Sequence, residues 1–96
     1  MKPEEIKAEV IQWAEKVGVS PKEIHLRKMK NKWASCSSKG RMTINPEVME
    51  MSLHDRAEVI LHELLHLRYP NHGKMFKRML EYHLKDYKKA RVGLYG

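Results

Sequence analysis

The sequence predicts an α+β fold: an N-terminal helix, a three-stranded antiparallel sheet, a helix carrying the candidate active site, and a C-terminal helix. Three observations predict it. Apolar residues recur at helical spacing near the N-terminus and again after Ser52 and Gly73. Period-two alternation is confined to the stretch between the first two of those helices. Proline, glycine and capping residues stand at the joints.

In chain order, Pro3 suits the first turn of a helix, and Glu4 and Glu5 suit the positive end of its dipole. Ile6, Val10, Trp13, Ala14 and Val17 form a stripe that reads as core, and Gly18 stands where a left-handed C′ residue belongs, so a helix is predicted over 3–17. Ser20-Pro21-Lys22-Glu23 has capping-box spacing, but the residues after it alternate. Strands are predicted near 24–30, 33–37 and 41–45, with Ser38-Lys39-Gly40 turning the second into the third as an antiparallel meander. Asn45-Pro46 reads as an N-cap and first helical position, opening a short helix to about Met51. Ser52, with Asp55 three residues on, caps a helix from about 53 to 68, and Pro70 stops it by disfavouring helix at Tyr69. After Asn71-His72-Gly73, a stripe of Met75, Phe76, Met79, Leu80, Leu84 and Tyr87 predicts a helix to about 89; the last six residues carry no clear pattern.

Ninety-six residues make one domain, 1–96. With 42% apolar and 32% charged residues, the composition suits a soluble globular protein and not a disordered one. No apolar run approaches the ~20 residues of a membrane span, so no membrane partner is expected. Met1-Lys2-Pro3-Glu4-Glu5 opens no apolar leader, and Cys36 is the single cysteine, so the expected compartment is the cytoplasm. The net charge of +7 is unevenly spread: residues 22–41 carry seven Lys/Arg against one Glu, residues 67–91 eight against two acids, and residues 42–66 one Arg against five acids. Such basic segments either solvate the surface or attract nucleic acid and acidic substrates; both readings stay open.

The chemistry concentrates in His62-Glu63-Leu64-Leu65-His66. Two histidines four apart lie on one helix face, within reach of one metal ion, and the adjoining glutamate can touch a water on that ion. Stepped around a helix, Ala57, Ile60, Leu61, Leu64, Leu65 and Leu67 fall on one side, and His62, Glu63, His66 and Val59 on the other. Histidines satisfied inside the core would fall among the leucines; surface histidines or a structural metal are the remaining alternatives. A catalytic zinc site takes three protein ligands and a water. His72, six residues after His66 and beyond the proline stop, is the candidate third ligand, with Glu81 on the last helix as runner-up. The spacing matches the third histidine of metzincins, but Tyr69 replaces their glycine and no Met-turn is identifiable. Gly73 is expected to let the backbone turn back without a clash. His25, His54 and His83 have no matching spacing, and Cys36 reads as a packed thiol.

Asn31-Lys32-Trp33-Ala34-Ser35-Cys36-Ser37-Ser38-Lys39-Gly40-Arg41-Met42-Thr43-Ile44-Asn45, then the His62–His66 motif, then Asn71-His72-Gly73-Lys74-Met75-Phe76, together resemble the YgjP-like metallopeptidase-domain family. The last block also resembles the SprT-like and WLM zinc proteases, including the aromatic four residues after the third histidine. The resemblance covers about residues 24–80. It implies a minimal zincin-like domain, Zn2+ on His62, His66 and His72, and Glu63 as catalytic base. Ala34 stands where family members commonly have glycine, and members are often longer at the N-terminus.

The expected activity is zinc-dependent hydrolysis of peptide bonds in a peptide or protein substrate, the substrate lying along an edge of the 24–45 sheet. The oxyanion helper is not identified; Tyr69, Tyr82 and Tyr95 are unranked. A nucleotide phosphoanhydride hydrolase using the same metal, and a nucleic-acid-binding module with a structural metal, are the competing readings. The SprT-like resemblance and the basic segments together allow weak, sequence-independent nucleic-acid binding.

Overall fold

α1 spans Pro3–Val17. The computed structural model describes the backbone of residues 1–95 and the side chains of residues 1–85. Pro3 takes the first helical position, and the Glu5 carboxylate accepts from the Lys2 N–H at 3.0 Å. At the other end Gly18 has φ 84°, and its N–H reaches the Ala14 carbonyl at 2.8 Å. Glycine adopts that left-handed conformation without a Cβ penalty. The five stripe residues are all buried.

Three short strands follow: β1 (Glu23–Leu26), β2 (Ala34–Cys36) and β3 (Arg41–Ile44). Their order is β1-β3-β2, with β1 parallel to β3 and β2 antiparallel to it. The expected antiparallel meander is therefore corrected: the strands alternate in direction, but β3, not β2, is central. Alternation assigns faces and says nothing about neighbours. The neighbours are set by the connection from β1 to β2, which crosses the C-terminal end of β3. Asn45 holds it there. Its side-chain amide donates to the carbonyls of Met29 (2.9 Å) and Lys32 (3.2 Å), and its backbone N–H to that of Trp33 (2.9 Å). The two amide bonds hold Met29 and Lys32 to Asn45 and away from a strand ladder, and β1 ends at Leu26, short of the predicted 30.

Met42 and Ile44 on β3 are fully buried, as befits the central strand. Glu23 and Arg41 are register partners, and the Arg41 Nε–H donates to the Glu23 carboxylate at 2.9 Å. That bond and the guanidinium charge hold the Glu23 pKa below its usual value. Gly40 turns the β2–β3 hairpin at φ 92°.

The Asn45 carbonyl oxygen of the side chain accepts from the Glu47 N–H at 3.1 Å, opening a 3₁₀ helix over Pro46–Glu50. Ser52 Oγ accepts from the Asp55 N–H at 3.2 Å and caps α2, Leu53–Leu65. Ala57, Ile60, Leu61, Leu64 and Leu65 are buried, whereas Leu67 is only partly so. The Arg56 guanidinium donates to both Glu9 carboxylate oxygens, at 2.8 and 3.0 Å, and to the Met51 carbonyl, tying α2 to α1.

α2 ends earlier than the predicted residue 68. The N–H groups of His66, Leu67 and Arg68 reach carbonyls three residues back, at 3.2, 3.0 and 3.1 Å, so the last turn is tightened. Pro70 forces this, because Tyr69 before it cannot stay helical. α3 then spans Lys74–Tyr95, running past the predicted end near 89 and through most of the tail for which no pattern was expected. Phe76 and Leu84 are buried, but Met75 is exposed and lies off the core stripe; the side chain of Tyr87 falls outside the described residues. α2 packs against α1, β2 and α3. Among the described residues, no helix is long and apolar enough to cross a membrane.

Candidate metal centre

His62 projects from α2 one turn before its end, and His66 is the C-cap residue itself. The tightened turn and Pro70 then redirect the chain so that exposed His72 folds back over them. The ring nitrogens offered by His62, His66 and His72 lie within 4.8 Å of one another. The Nε2 atoms of His66 and His72 are 2.9 Å apart, and the three ring centroids are separated by 4.6–5.0 Å. Two imidazoles sharing a tetrahedral zinc at bond lengths of ~2.0–2.1 Å would place their nitrogens about 3.3 Å apart. The His66–His72 pair is within a few tenths of an ångström of that spacing, and His62 lies within 4.8 Å of both. Three imidazoles without a thiolate suit zinc or a similar divalent ion, so the residues fit such a group.

The trio rests on Phe76. This ring is buried, and its centroid lies 5.3 Å from His62, 5.0 Å from His66 and 4.8 Å from His72. One aromatic ring therefore bounds the positions of all three imidazoles. The sequence placed Phe76 in the core stripe and, as the aromatic four residues after His72, in the block resembling the SprT-like and WLM zinc proteases, but gave it no role against the imidazoles.

Glu63 lies beside the trio. Its Oε2 is 2.8 Å from His62 Nδ1. In the tautomer of His62 that donates from Nδ1 to this carboxylate, Nε2 is left with its lone pair to offer to an ion. Across from Glu63 lies β2. Burial pushes the Cys36 thiol pKa up, and the Glu63 charge pushes it further. Cys36 is thus a neighbour of Glu63 and, among the described residues, belongs to no donor group.

Among the described residues, β2 is an edge strand of the sheet. Trp33 accepts from the Asn45 N–H, and the Ser37 N–H donates to Arg41. In an antiparallel pair these residues face the partner strand, and the residues between alternate. Ala34 and Cys36, opposite Ile44 and Met42, therefore turn their N–H and C=O groups outward. Along this edge runs a groove of about 530 Å³, walled by Trp33, Ala34 and Met51 on one side and by α2 on the other. α2 contributes Asp55, Glu58 and Val59 and then His62 and Glu63. The sequence reading missed Asp55 and Glu58 here, although their spacing of three and four residues from each other and from His62 marks one helix face.

Other candidates fall elsewhere. Glu81 on α3 is exposed and joins no donor group among the described residues. Gly73 is not in the left-handed region, and a Cβ there would meet nothing within 4 Å, so the expectation that the turn needs a bare glycine is corrected. His25 pairs with Glu23 at 3.7 Å. His83 packs edge-on against Trp13 and Tyr82, and burial, then the charge of Lys16, lowers its pKa. His54, for which the spacing gave no role, forms a second donor group with Asp55 and Glu58. Tyr69 is half-buried, with Arg68 over its ring, Tyr82 is exposed, and the Tyr95 side chain lies outside the described residues.

A small mixed sheet packed on a helix, with a donor trio shared between that helix and the loop after it, is an arrangement that a metallopeptidase domain can use. The family model of the YgjP-like, metallopeptidase domain matches residues 2–95, and the chain belongs to that family. Among solved structures, the crystal structure of the metallopeptidase zymogen of Pyrococcus abyssi abylysin shares the fold, with a TM-score of 0.67 at 21% identity over 90% of this chain and 94% of that one. No curated protein matches the sequence.

Proposed function

We propose that this chain is a zinc-dependent peptidase in which His62, His66 and His72 hold the ion and Glu63 is the general base. One observation carries the reading: three converging imidazoles with Glu63 against His62, at the foot of a groove beside an open strand edge. A bound zinc would supply Lewis acidity, making water nucleophilic at neutral pH and polarising a carbonyl. The protein's own residues do the rest. The outward N–H and C=O groups of Ala34 and Cys36 pair with an extended peptide and fix its register. Glu63 accepts a proton from the attacking water on its carboxylate and returns it to the departing amine. Phe76 keeps the imidazoles from swinging away.

Two features weigh against the other readings. Phosphate would meet Asp55 and Glu58 in the groove beside the site, where like charge repels it. A structural metal wants four protein donors, and among the described residues the group contains three. The exposed Arg27, Lys28, Lys30 and Lys32 support weak, salt-sensitive nucleic-acid binding as an accessory property.

The test is turnover by the zinc-loaded protein on mixed peptides and on nucleoside triphosphates. Peptide cleavage is expected, and Glu63→Gln should lower it by roughly 10²-fold or more while zinc content stays the same. Undiminished cleavage by the Gln variant removes Glu63 from the mechanism; turnover of triphosphates alone overturns the peptidase reading.

A further inference from the structure

The net charge is +7, yet the wall of the groove is not basic. Residues 42–66 hold five acids and one arginine, and that arginine, Arg56, is turned to Glu9 of α1 and the Met51 carbonyl. Asp55 and Glu58 both line the groove and both are exposed. Their oxygens and a ring nitrogen of His54 lie within 4.8 Å of one another, with His54 Nδ1 3.4 Å from Asp55. The same groove is also lined by apolar side chains: Trp33, half exposed, Met51 and Val59.

Resting on the peptidase reading, we propose that this groove is a specificity pocket for a lysine or arginine side chain of the substrate. The aliphatic stem of such a side chain packs on Trp33, Met51 and Val59, and its charged head meets Asp55 and Glu58. A lysine or arginine needs that combination, because its stem is apolar and its tip is a cation. An acidic side chain would meet like charge, and a purely apolar one would leave the two carboxylates without a new partner.

Reach is consistent with this. Glu58 and His62 are one turn apart on α2, about 6 Å along the axis. A strand on the β2 edge advances about 3.3 Å per residue. The head of a side chain one or two residues from the cleaved bond therefore reaches Glu58. The overall charge of +7 opposes basic peptides only at long range. At physiological salt that field is screened beyond about 8 Å, so within the groove the two carboxylates decide.

The experiment uses the zinc-loaded full chain and a peptide set identical except for Lys, norleucine or Glu at each position flanking the cleaved bond. At one position, kcat/KM should be about tenfold higher for Lys than for Glu, with norleucine between. Glu58→Gln should shrink the Lys/Glu ratio about threefold to fivefold, the range of one partly exposed ion pair, and Glu58→Lys should invert it. Glu15→Lys, the same charge change on exposed α1, should leave the ratio where it was. An unchanged ratio in Glu58→Lys overturns the pocket, as does an equal change in Glu15→Lys, which would mean steering by net charge. If no peptide is cleaved, the peptidase reading fails, and the pocket is judged by binding, followed through Trp33 fluorescence. Tighter binding of the Lys peptide than the Glu peptide, reversed by Glu58→Lys, keeps the pocket; equal binding overturns it.

Discussion

α2 and the turn that follows it bring histidines to one point by opposite means. His62 and His66 stand on a helix whose other face is fully buried, with Ile60, Leu61, Leu64 and Leu65 each at 0% exposure. Their spacing is fixed by helix geometry and their positions by the core. His72 stands on an exposed loop between Pro70 and Lys74, and its ring is located by what it touches: His66 Nε2 at 2.9 Å and the Phe76 ring at 4.8 Å. On the proposed reading, two ligands are placed by helix and core, and the third is placed by its side-chain contacts alone. The same contrast says which substitutions should cost chemistry and which should cost folding.

The sharpest way to break the comparison is His72→Ala. Two histidines one turn apart leave an ion short of its third protein ligand. Zinc affinity and peptide turnover should fall together, each by roughly 10²-fold or more. The loop is exposed, so the metal-free melting temperature should barely move. Isothermal titration with zinc, a turnover assay and a melting curve on one preparation read all three. Full zinc affinity in His72→Ala, with loss in Glu81→Ala, would move the third ligand to α3.

The converse substitution is Leu64→Ala, on the buried face of α2. It should destabilise the fold by about 2–5 kcal/mol, the usual range for emptying a leucine site in a core. Denaturant unfolding measures this. Folded molecules should still bind zinc, since Leu64 points away from the ligands. Loss of zinc binding from fully folded Leu64→Ala would mean that the two faces of α2 are not independent.

What the sequence made legible follows the same line between local and non-local causes. Gly18, Asn45-Pro46 and Ser52 were readable because caps act within three residues of themselves. The convergence of His62 and His66 was readable because a helix repeats every 3.6 residues. The order of the strands was not, because it depends on Asn45 reaching back to Met29 and Lys32. Nor was the groove, which joins Trp33 before β2 to Glu58 on α2 through a pairing that no spacing encodes. The early end of α2 was half legible: Pro70 announced a stop, but the tightened turn that sets the place of His66 is a response to it.

Asn45 tests the non-local part. Its buried amide satisfies two carbonyls of the β1–β2 connection, and its side-chain oxygen caps the 3₁₀ helix. Asn45→Ala should cost about 1–3 kcal/mol, the range for leaving buried partners unsatisfied. Hydrogen exchange should show faster opening of residues 28–33 than of α1. Uniform exchange across both would mean that another contact holds the connection over the end of β3.

The smallest expected effect separates two glycines that look alike in sequence, each preceding a basic residue at the end of a turn. Gly40 has φ 92°, and an added Cβ would lie 3.1 Å from the Lys22 backbone nitrogen. That contact is with backbone, which cannot swing aside as a flexible side chain would, and the left-handed conformation adds roughly 1–2 kcal/mol for a residue with a Cβ. Gly40→Ala should therefore destabilise the fold by at least about that much. Gly73, beside the third candidate ligand, has neither constraint: its φ is not left-handed, and the space around it is open. Gly73→Ala should change stability by less than about 0.5 kcal/mol, with zinc affinity unchanged. Thermal melting and zinc titration of the two variants decide the matter. A large loss in Gly73→Ala would mean that the loop passes through a conformation that only glycine reaches, and His72 would then owe its place to backbone strain instead of to its contacts with His66 and Phe76.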